Sequence, residues 1–215
     1  MPRCGTMFTA RAMPWMTQCG RAHDGWWALH EELRSLPTYV LVREPLSWYL
    51  SLFEYEKKHG SQVWLRYFGI NRTDPFGVAL ERFTGTHIRI MPEGRVDGHW
   101  MAACDPIHAM ASQRMGLWSW WVLRMCSIDK EVQGPSQELA PVRFLWLTEH
   151  RNQDLIKLSS ICGKRPRLEA GRNGVPHPPV EEVYSDRLRH LVIERDSEVL
   201  HRALSLESGI TVTDT

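Results

Sequence analysis

The sequence lacks the features that mark membrane-spanning, secreted or general nucleic-acid-binding proteins. Its net charge is only +1 over 215 residues, so no overall charge attracts it to nucleic acid. No run approaches the roughly 18 apolar residues that a membrane span needs, and the N-terminus has no signal-peptide pattern. We therefore expect neither a nucleic-acid partner nor a membrane partner.

Cysteines are few and widely spaced along the chain. The chain contains Cys4, Cys19, Cys104, Cys126 and Cys162. An odd number at wide spacing is unlike a set of disulfides, and it fits a reducing, cytoplasmic location. No CxxC or HxxxH pair supports a metal site, so we expect no metal.

Two segments read as buried strands, each followed by a helix. The β-branched and apolar residues 38–42 predict one strand, and residues 142–147 predict the other. Pro45 favours the start of a helix that runs to about residue 58. Because strands that alternate with helices imply a parallel sheet, the predicted fold class is α/β, with helices flanking the sheet in one domain over residues 1–215.

Further helices are predicted from apolar spacing and capping residues. We expect them over residues 26–36, after an Asp74 N-cap, over 106–125 with a break at Gly116, and over 179–204. The last one is predicted to be a charged amphipathic helix, and its charges alternate at short spacing as on a solvated outer face.

The residues at the start of the chain have the composition of a phosphate-binding loop. Gly5 permits close approach of a phosphate to the backbone, while Arg3 and Thr6 supply a cation and a hydroxyl before a predicted helix. The segment Pro2-Arg3-Cys4-Gly5-Thr6 is not the GxxxxGK[ST] loop of common nucleoside triphosphatases. Taken alone, it is equally compatible with a loop that binds no ligand.

A second candidate phosphate site follows the first predicted strand. Arg43 would leave the carboxyl end of that strand, where open α/β sheets bind ligands. Ser51 comes eight residues later, in the helix after Pro45. An arginine fork with a hydroxyl suits a phosphate group, although Arg43 paired with a carboxylate is the alternative.

Together these two segments resemble the sulfotransferases that use 3′-phosphoadenosine-5′-phosphosulfate (PAPS). In that family a P-[KR]-x-G-T loop holds the 5′-phosphosulfate, and R-x-P with a serine eight residues after the arginine holds the 3′-phosphate. The resemblance implies a P-loop sheet and a cofactor site at Arg3, Cys4, Gly5, Thr6, Arg43 and Ser51. Since family loops follow a central strand and only Met1 precedes Pro2, the first strand is expected to be truncated.

Weaker similarities extend over most of the chain. Residues 22–26 resemble the segment of heparan-type members that carries a histidine base, which makes His23 the expected base. Residues 116–120 resemble a glycine-aromatic helix start in bacterial and phage members. Arg172 and Asn173, with His177, correspond to a loop that closes over the nucleotide.

The resemblance implies transfer of a sulfuryl group from PAPS to a hydroxyl on a carbohydrate or small molecule. Arg3 would stabilise the leaving 5′-phosphate, and His23 would take the proton of the acceptor. His30 and Glu31 are alternative bases. Two other functions stay open, namely a P-loop nucleotide or small-molecule kinase and a degenerate, non-catalytic nucleotide-binding member.

Overall fold

The computed structural model describes a little over half of the chain. The described residues are 25–36, 38–59, 68–85, 115–129, 134, 136–146, 156, 159–160, 163–165 and 177–206. Within them the helices are a 3₁₀ turn Trp26–Ala28, α1 (Glu31–Arg34), α2 (Pro45–His59), α3 (Phe76–Phe83), α4 (Leu117–Cys126), α5 (Val180–Val183) and α6 (Asp186–Ser205). The strands are β1 (Thr38–Val42) and β2 (Val142–Trp146).

The predicted fold class is wrong for the part of the chain that the structure describes. That part is mainly helical, and its strands make one two-stranded parallel ladder, in which Thr38 pairs with Val142 and Val42 with Trp146. A flanked, multi-stranded P-loop sheet is not present there. The physical reason is that the apolar side chains that form this core come mostly from helices packed on helices.

Several helix boundaries also differ from the sequence prediction. The helix expected over residues 26–36 is broken, because Leu29 and His30 are extended and the Arg34 guanidinium binds the carbonyls of Trp27 and Leu29. Asp74 does not cap α3. Its carboxylate instead accepts the Asn71 backbone N–H at 2.8 Å.

The predicted C-terminal helix is divided at residues 184–185. Tyr184 is extended, and the Ser185 hydroxyl accepts the Leu188 N–H, which caps a new helix. Predictions for β1 and for the start of α2 at Pro45 are confirmed. Helix α4 begins directly after Gly116, whereas the part of the predicted helix before residue 115 lies outside the described residues.

Helix α4 lies at the centre of the core. All its ten residues except Met125 are buried. It packs against α2 and α6, and α3 closes the cluster with stacked and edge-on aromatic rings. Trp118, Trp120 and Trp121 are all fully buried, so the three tryptophans of this helix serve as packing rather than as an exposed acceptor surface.

The N-terminus of α4 has no capping side chain of its own, because its N-cap residue is Gly116. Other helices supply the acceptors that its first N–H groups need. Gly116 N–H donates to the Arg195 carbonyl, Trp118 N–H to the Tyr49 hydroxyl at 3.0 Å, and Ser119 N–H to the Asp196 carboxylate at 3.0 Å. This start of α4 is therefore fixed by tertiary contacts to α2 and α6.

Gly116→Ala is expected to destabilise the protein because no room exists for a methyl group. An added Cβ would lie 2.6 Å from both carboxylate oxygens of Asp196 and would also collide with the Tyr49 hydroxyl. Overpacking of this kind costs about 1–3 kcal/mol. Urea unfolding at neutral pH measures the loss.

The matched control is Gly77→Ala in α3. There an added Cβ meets only the methyl groups of Leu188, at 3.6 and 3.8 Å, which is ordinary contact. Alanine also has the higher helix propensity, so this variant should be as stable as the wild type or more stable. Equal stability for Gly116→Ala and wild type would contradict the packing described for α4.

Candidate functional site

Arg43 stands where β1 ends and α2 is about to begin. It is half-buried, and Pro45 starts the helix two residues later. It directly follows the carboxyl end of a strand in the described parallel pair. The guanidinium offers planar, paired N–H donors that match a phosphate.

His177 contacts the Arg43 side chain from a distant part of the chain. The His177 Nε2 atom lies 3.4 Å from the Arg43 Nη2 atom. On its other side, Nδ1 lies 2.9 Å from the Pro178 carbonyl oxygen. A carbonyl can only accept, so Nδ1 carries the proton, and in the neutral ring Nε2 accepts from Arg43. This contact orients the guanidinium.

Glu44 caps helix α2. Its two carboxylate oxygens accept the N–H groups of Leu46 at 3.0 Å and Ser47 at 2.9 Å. A carboxylate at a helix N-terminus also complements the helix dipole. These two amides are therefore already engaged, and a phosphate near Arg43 would be held by side chains rather than by them.

Ser51 lies on α2, six residues after Pro45, and is half-buried. The segment that follows His177 is attached to the first turn of the same helix, because the Tyr184 hydroxyl donates to the Leu46 carbonyl at 2.8 Å. Burial, followed by the nearby charge of Glu44, raises the pKa of Tyr184 well above its usual value, so this hydroxyl keeps its proton. Helix α2 thus joins the Arg43 region to residues 177–184.

The backbone of Arg43 is bound by the core. The indole Nε1–H of Trp118 donates to the Arg43 carbonyl at 2.9 Å. Trp118 is fully buried in α4, and its own N–H donates to the Tyr49 hydroxyl. The junction between β1 and α2 is therefore held against the start of α4.

A buried carboxylate organises that start of α4. Asp196 is only 1% exposed. Its Oδ1 accepts from the Ser119 N–H and, at 2.6 Å, from the Ser119 hydroxyl, while Oδ2 accepts from the Tyr49 hydroxyl at 2.8 Å. Burial raises the pKa of Asp196 to about 6, although the hydrogen bonds from Ser119 and Tyr49 oppose that rise.

Most of the site residues predicted from the sequence lie outside the described residues. These are Arg3, Cys4, Gly5, Thr6, His23, Arg172 and Asn173. The alternative bases are described: His30 is exposed just before α1, with its Nδ1 3.9 Å from a carboxylate oxygen of Glu32, and Glu31 is exposed in α1. Of the predicted residues, Arg43 and Ser51 are placed on adjoining elements, and His177 is brought to Arg43.

Sequence reasoning missed Asp196 as a buried residue, although the sequence carries a signal for it. The buried residues of α6 are Leu188, Val192, Asp196, Val199 and Ala203. They recur at intervals of three and four, so Asp196 falls in phase with an apolar stripe. The stripe confirms the amphipathic character predicted for this helix, but the prediction did not place Asp196 among the buried residues.

Two further features are absent from the described residues. No helix there combines the length and apolarity needed to cross a membrane. The same residues contain no cluster of three or more His, Cys, Asp and Glu side chains placed to hold a metal ion.

The pKa of Asp196 predicts a pH dependence of stability. Because burial raises this pKa from 3.8 to about 6, the folded chain holds the proton more tightly than the unfolded chain between those pH values. The stabilisation is complete below about pH 4 and is lost as pH rises through about 6. Relative to Asp196→Asn, the wild-type free energy of unfolding should fall by about 2 kcal/mol between pH 4 and 7.

Urea titrations of both proteins across this range measure the difference. Asp186→Asn is the matched control, because Asp186 is an exposed aspartate on the same helix. This substitution likewise removes one carboxylate from the helix, but from an exposed position, so it accounts for the general effect of losing a charge. Parallel stability curves for wild type and Asp196→Asn would contradict a raised pKa at Asp196.

Comparisons with known proteins do not assign this chain to a family. No family model, no curated protein and no solved structure matched it. A proposal for its function therefore rests on the environment of Arg43 and on the motifs of the sequence.

Proposed function

We propose that the chain is a sulfotransferase that takes PAPS as its sulfuryl donor and a hydroxyl-bearing carbohydrate or small molecule as its acceptor. One observation carries the proposal. His177 belongs to a late segment that resembles the family's loop closing over the nucleotide. Its side chain contacts Arg43, which matches the family's arginine that binds the 3′-phosphate. Two motifs separated by 134 residues meet at one point.

The environment of Arg43 supports its assignment to the 3′-phosphate. Arg43 is half-buried, and partial burial strengthens the attraction of its charge for an anion compared with a fully solvated side chain. His177 orients it on one side, and the Trp118 indole holds its backbone carbonyl. Ser51 on α2 is the hydroxyl that we assign to the same phosphate.

The proposed chemistry joins an acceptor oxygen to sulfur while the bond from sulfur to the 5′-phosphate oxygen breaks. Negative charge grows on the leaving phosphate, and we assign its stabilisation to Arg3 and the N–H groups of residues 4–6. His23 accepts the proton that the acceptor hydroxyl loses. Arg43 and Ser51 do not touch the sulfur, and their contribution is to position the donor.

The first test is the recognition of a 3′-phosphate. Adenosine 3′,5′-bisphosphate, the desulfated donor, should bind more tightly than adenosine 5′-monophosphate in calorimetric titrations. Arg43→Ala should weaken binding of the bisphosphate by about 10- to 100-fold, since hydrogen bonds to charged groups contribute about 1.5–3 kcal/mol. Binding of the monophosphate should change little.

Arg187→Ala is the matched control, because this exposed arginine of α6 pairs with Glu81 at the surface. It should leave both affinities unchanged. Transfer of radiolabelled sulfate from PAPS to an acceptor panel then distinguishes an enzyme from a protein that only binds the nucleotide. Equal affinity for the two nucleotides in the wild type, or tight binding of ATP with Mg²⁺ instead, would refute the proposal.

His177→Ala tests the contact between the two motifs. Loss of the His177 ring as an acceptor for the Arg43 guanidinium should weaken bisphosphate binding by about threefold to tenfold, which corresponds to one ordinary hydrogen bond. His201→Ala, at an exposed histidine of α6, should bind like wild type. Wild-type affinity in His177→Ala would remove His177 from the site.

A further inference from the structure

The contact between Trp118 and Arg43 joins the proposed nucleotide site to the interior of the protein. The indole Nε1–H donates to the Arg43 carbonyl at 2.9 Å, across 75 residues of sequence. That carbonyl belongs to the peptide unit that leads from Arg43 into Glu44, just before α2 begins. A hydrogen bond there fixes the plane of this peptide unit and restricts the ψ angle of Arg43.

Trp118 itself cannot shift easily. Its side chain is fully buried, and its backbone N–H is bound to the Tyr49 hydroxyl at 3.0 Å. That hydroxyl donates in turn to Asp196 at 2.8 Å, and the neighbouring Ser119 is bound to the same carboxylate. The indole donor is therefore presented from a fixed position on α4.

Placement of the Arg43 backbone matters because the guanidinium is selective only when its N–H groups are aligned with the phosphate. Productive binding geometry has to be held within about 0.5 Å by supporting residues. His177 contacts the guanidinium end of the side chain, whereas Trp118 holds the backbone end. The two contacts fix opposite ends of the same residue.

We propose that Trp118 is a positioning residue that sets the direction of Arg43 and thereby the preference of the site for a nucleotide with a 3′-phosphate. This inference rests on the proposed function and adds to it a residue of the buried core. Trp118 does not touch the ligand and acts through the Arg43 carbonyl. Its removal should therefore lower selectivity without abolishing nucleotide binding.

The test compares Trp118→Phe with Trp120→Phe. Both tryptophans lie on α4 and are at most 1% exposed, but the Trp120 Nε1 has no hydrogen-bond partner among the described residues. The two substitutions thus remove a similar amount of aromatic surface, and only the first removes the donor to Arg43. Both variants are checked for cooperative unfolding before titration.

The measured quantity is the ratio of the dissociation constants for adenosine 5′-monophosphate and adenosine 3′,5′-bisphosphate. Trp118→Phe should lower this ratio by about tenfold, and Trp120→Phe should leave it at the wild-type value. If the substitution only destabilised the fold, it would lower the folded fraction and weaken the binding of both nucleotides equally. The ratio of the two dissociation constants would then stay unchanged.

The outcomes separate the two proposals. A wild type that prefers the bisphosphate, together with an unchanged ratio in Trp118→Phe, would overturn the role of Trp118 and leave the proposed function intact. A wild type without preference would overturn the proposed function, and the role of Trp118 with it. An equal loss of preference in Trp120→Phe would also overturn the inference, because the loss could not then be due to the missing indole N–H of Trp118.

If Trp118→Phe does not fold, Ser119→Ala provides the second variant. It removes the 2.6 Å hydrogen bond to Asp196 and loosens the start of α4 while keeping the indole. The inference predicts a ratio about threefold below wild type. Full wild-type preference in Ser119→Ala would then overturn it.

Discussion

The rest of the described structure depends on the buried carboxylate of Asp196. It accepts hydrogen bonds from α2 through Tyr49 and from α4 through Ser119, and it belongs to α6. Removing a carboxylate from water is costly, and these donors offset the cost. Because helix N-terminal amides need acceptors, the same carboxylate replaces the cap that Gly116 cannot supply. Three helices are thereby fixed at one point.

The candidate site is an extension of this arrangement. Helix α4 begins at the carboxylate, and its second residue, Trp118, reaches the Arg43 carbonyl. Helix α2 contributes Tyr49 to the core and Ser51 to the proposed site, while Tyr184 ties the segment after His177 to the first turn of α2. The proposed selectivity of the site for an anion thus rests on packing that is far from Arg43 in sequence.

Local features of the chain could be predicted from the sequence, whereas tertiary ones could not. The strand at residues 38–42 follows from its β-branched residues, and the start of α2 follows from the fixed φ of Pro45. The start of α4 follows directly after the glycine at position 116. The prediction of a parallel-sheet fold was wrong because two segments with strand-like sequences do not determine which elements pack around them. The partners of Asp196, and the meeting of Arg43 with His177, join residues more than 70 positions apart, and no local pattern encodes such pairs.

A crystal structure with adenosine 3′,5′-bisphosphate bound tests the central claim most directly. The account predicts 3′-phosphate oxygens within hydrogen-bond distance of the Arg43 guanidinium and the Ser51 hydroxyl, with the bond from the Trp118 indole to the Arg43 carbonyl retained. A nucleotide bound elsewhere, or one whose 3′-phosphate points into solvent away from Arg43, would contradict it.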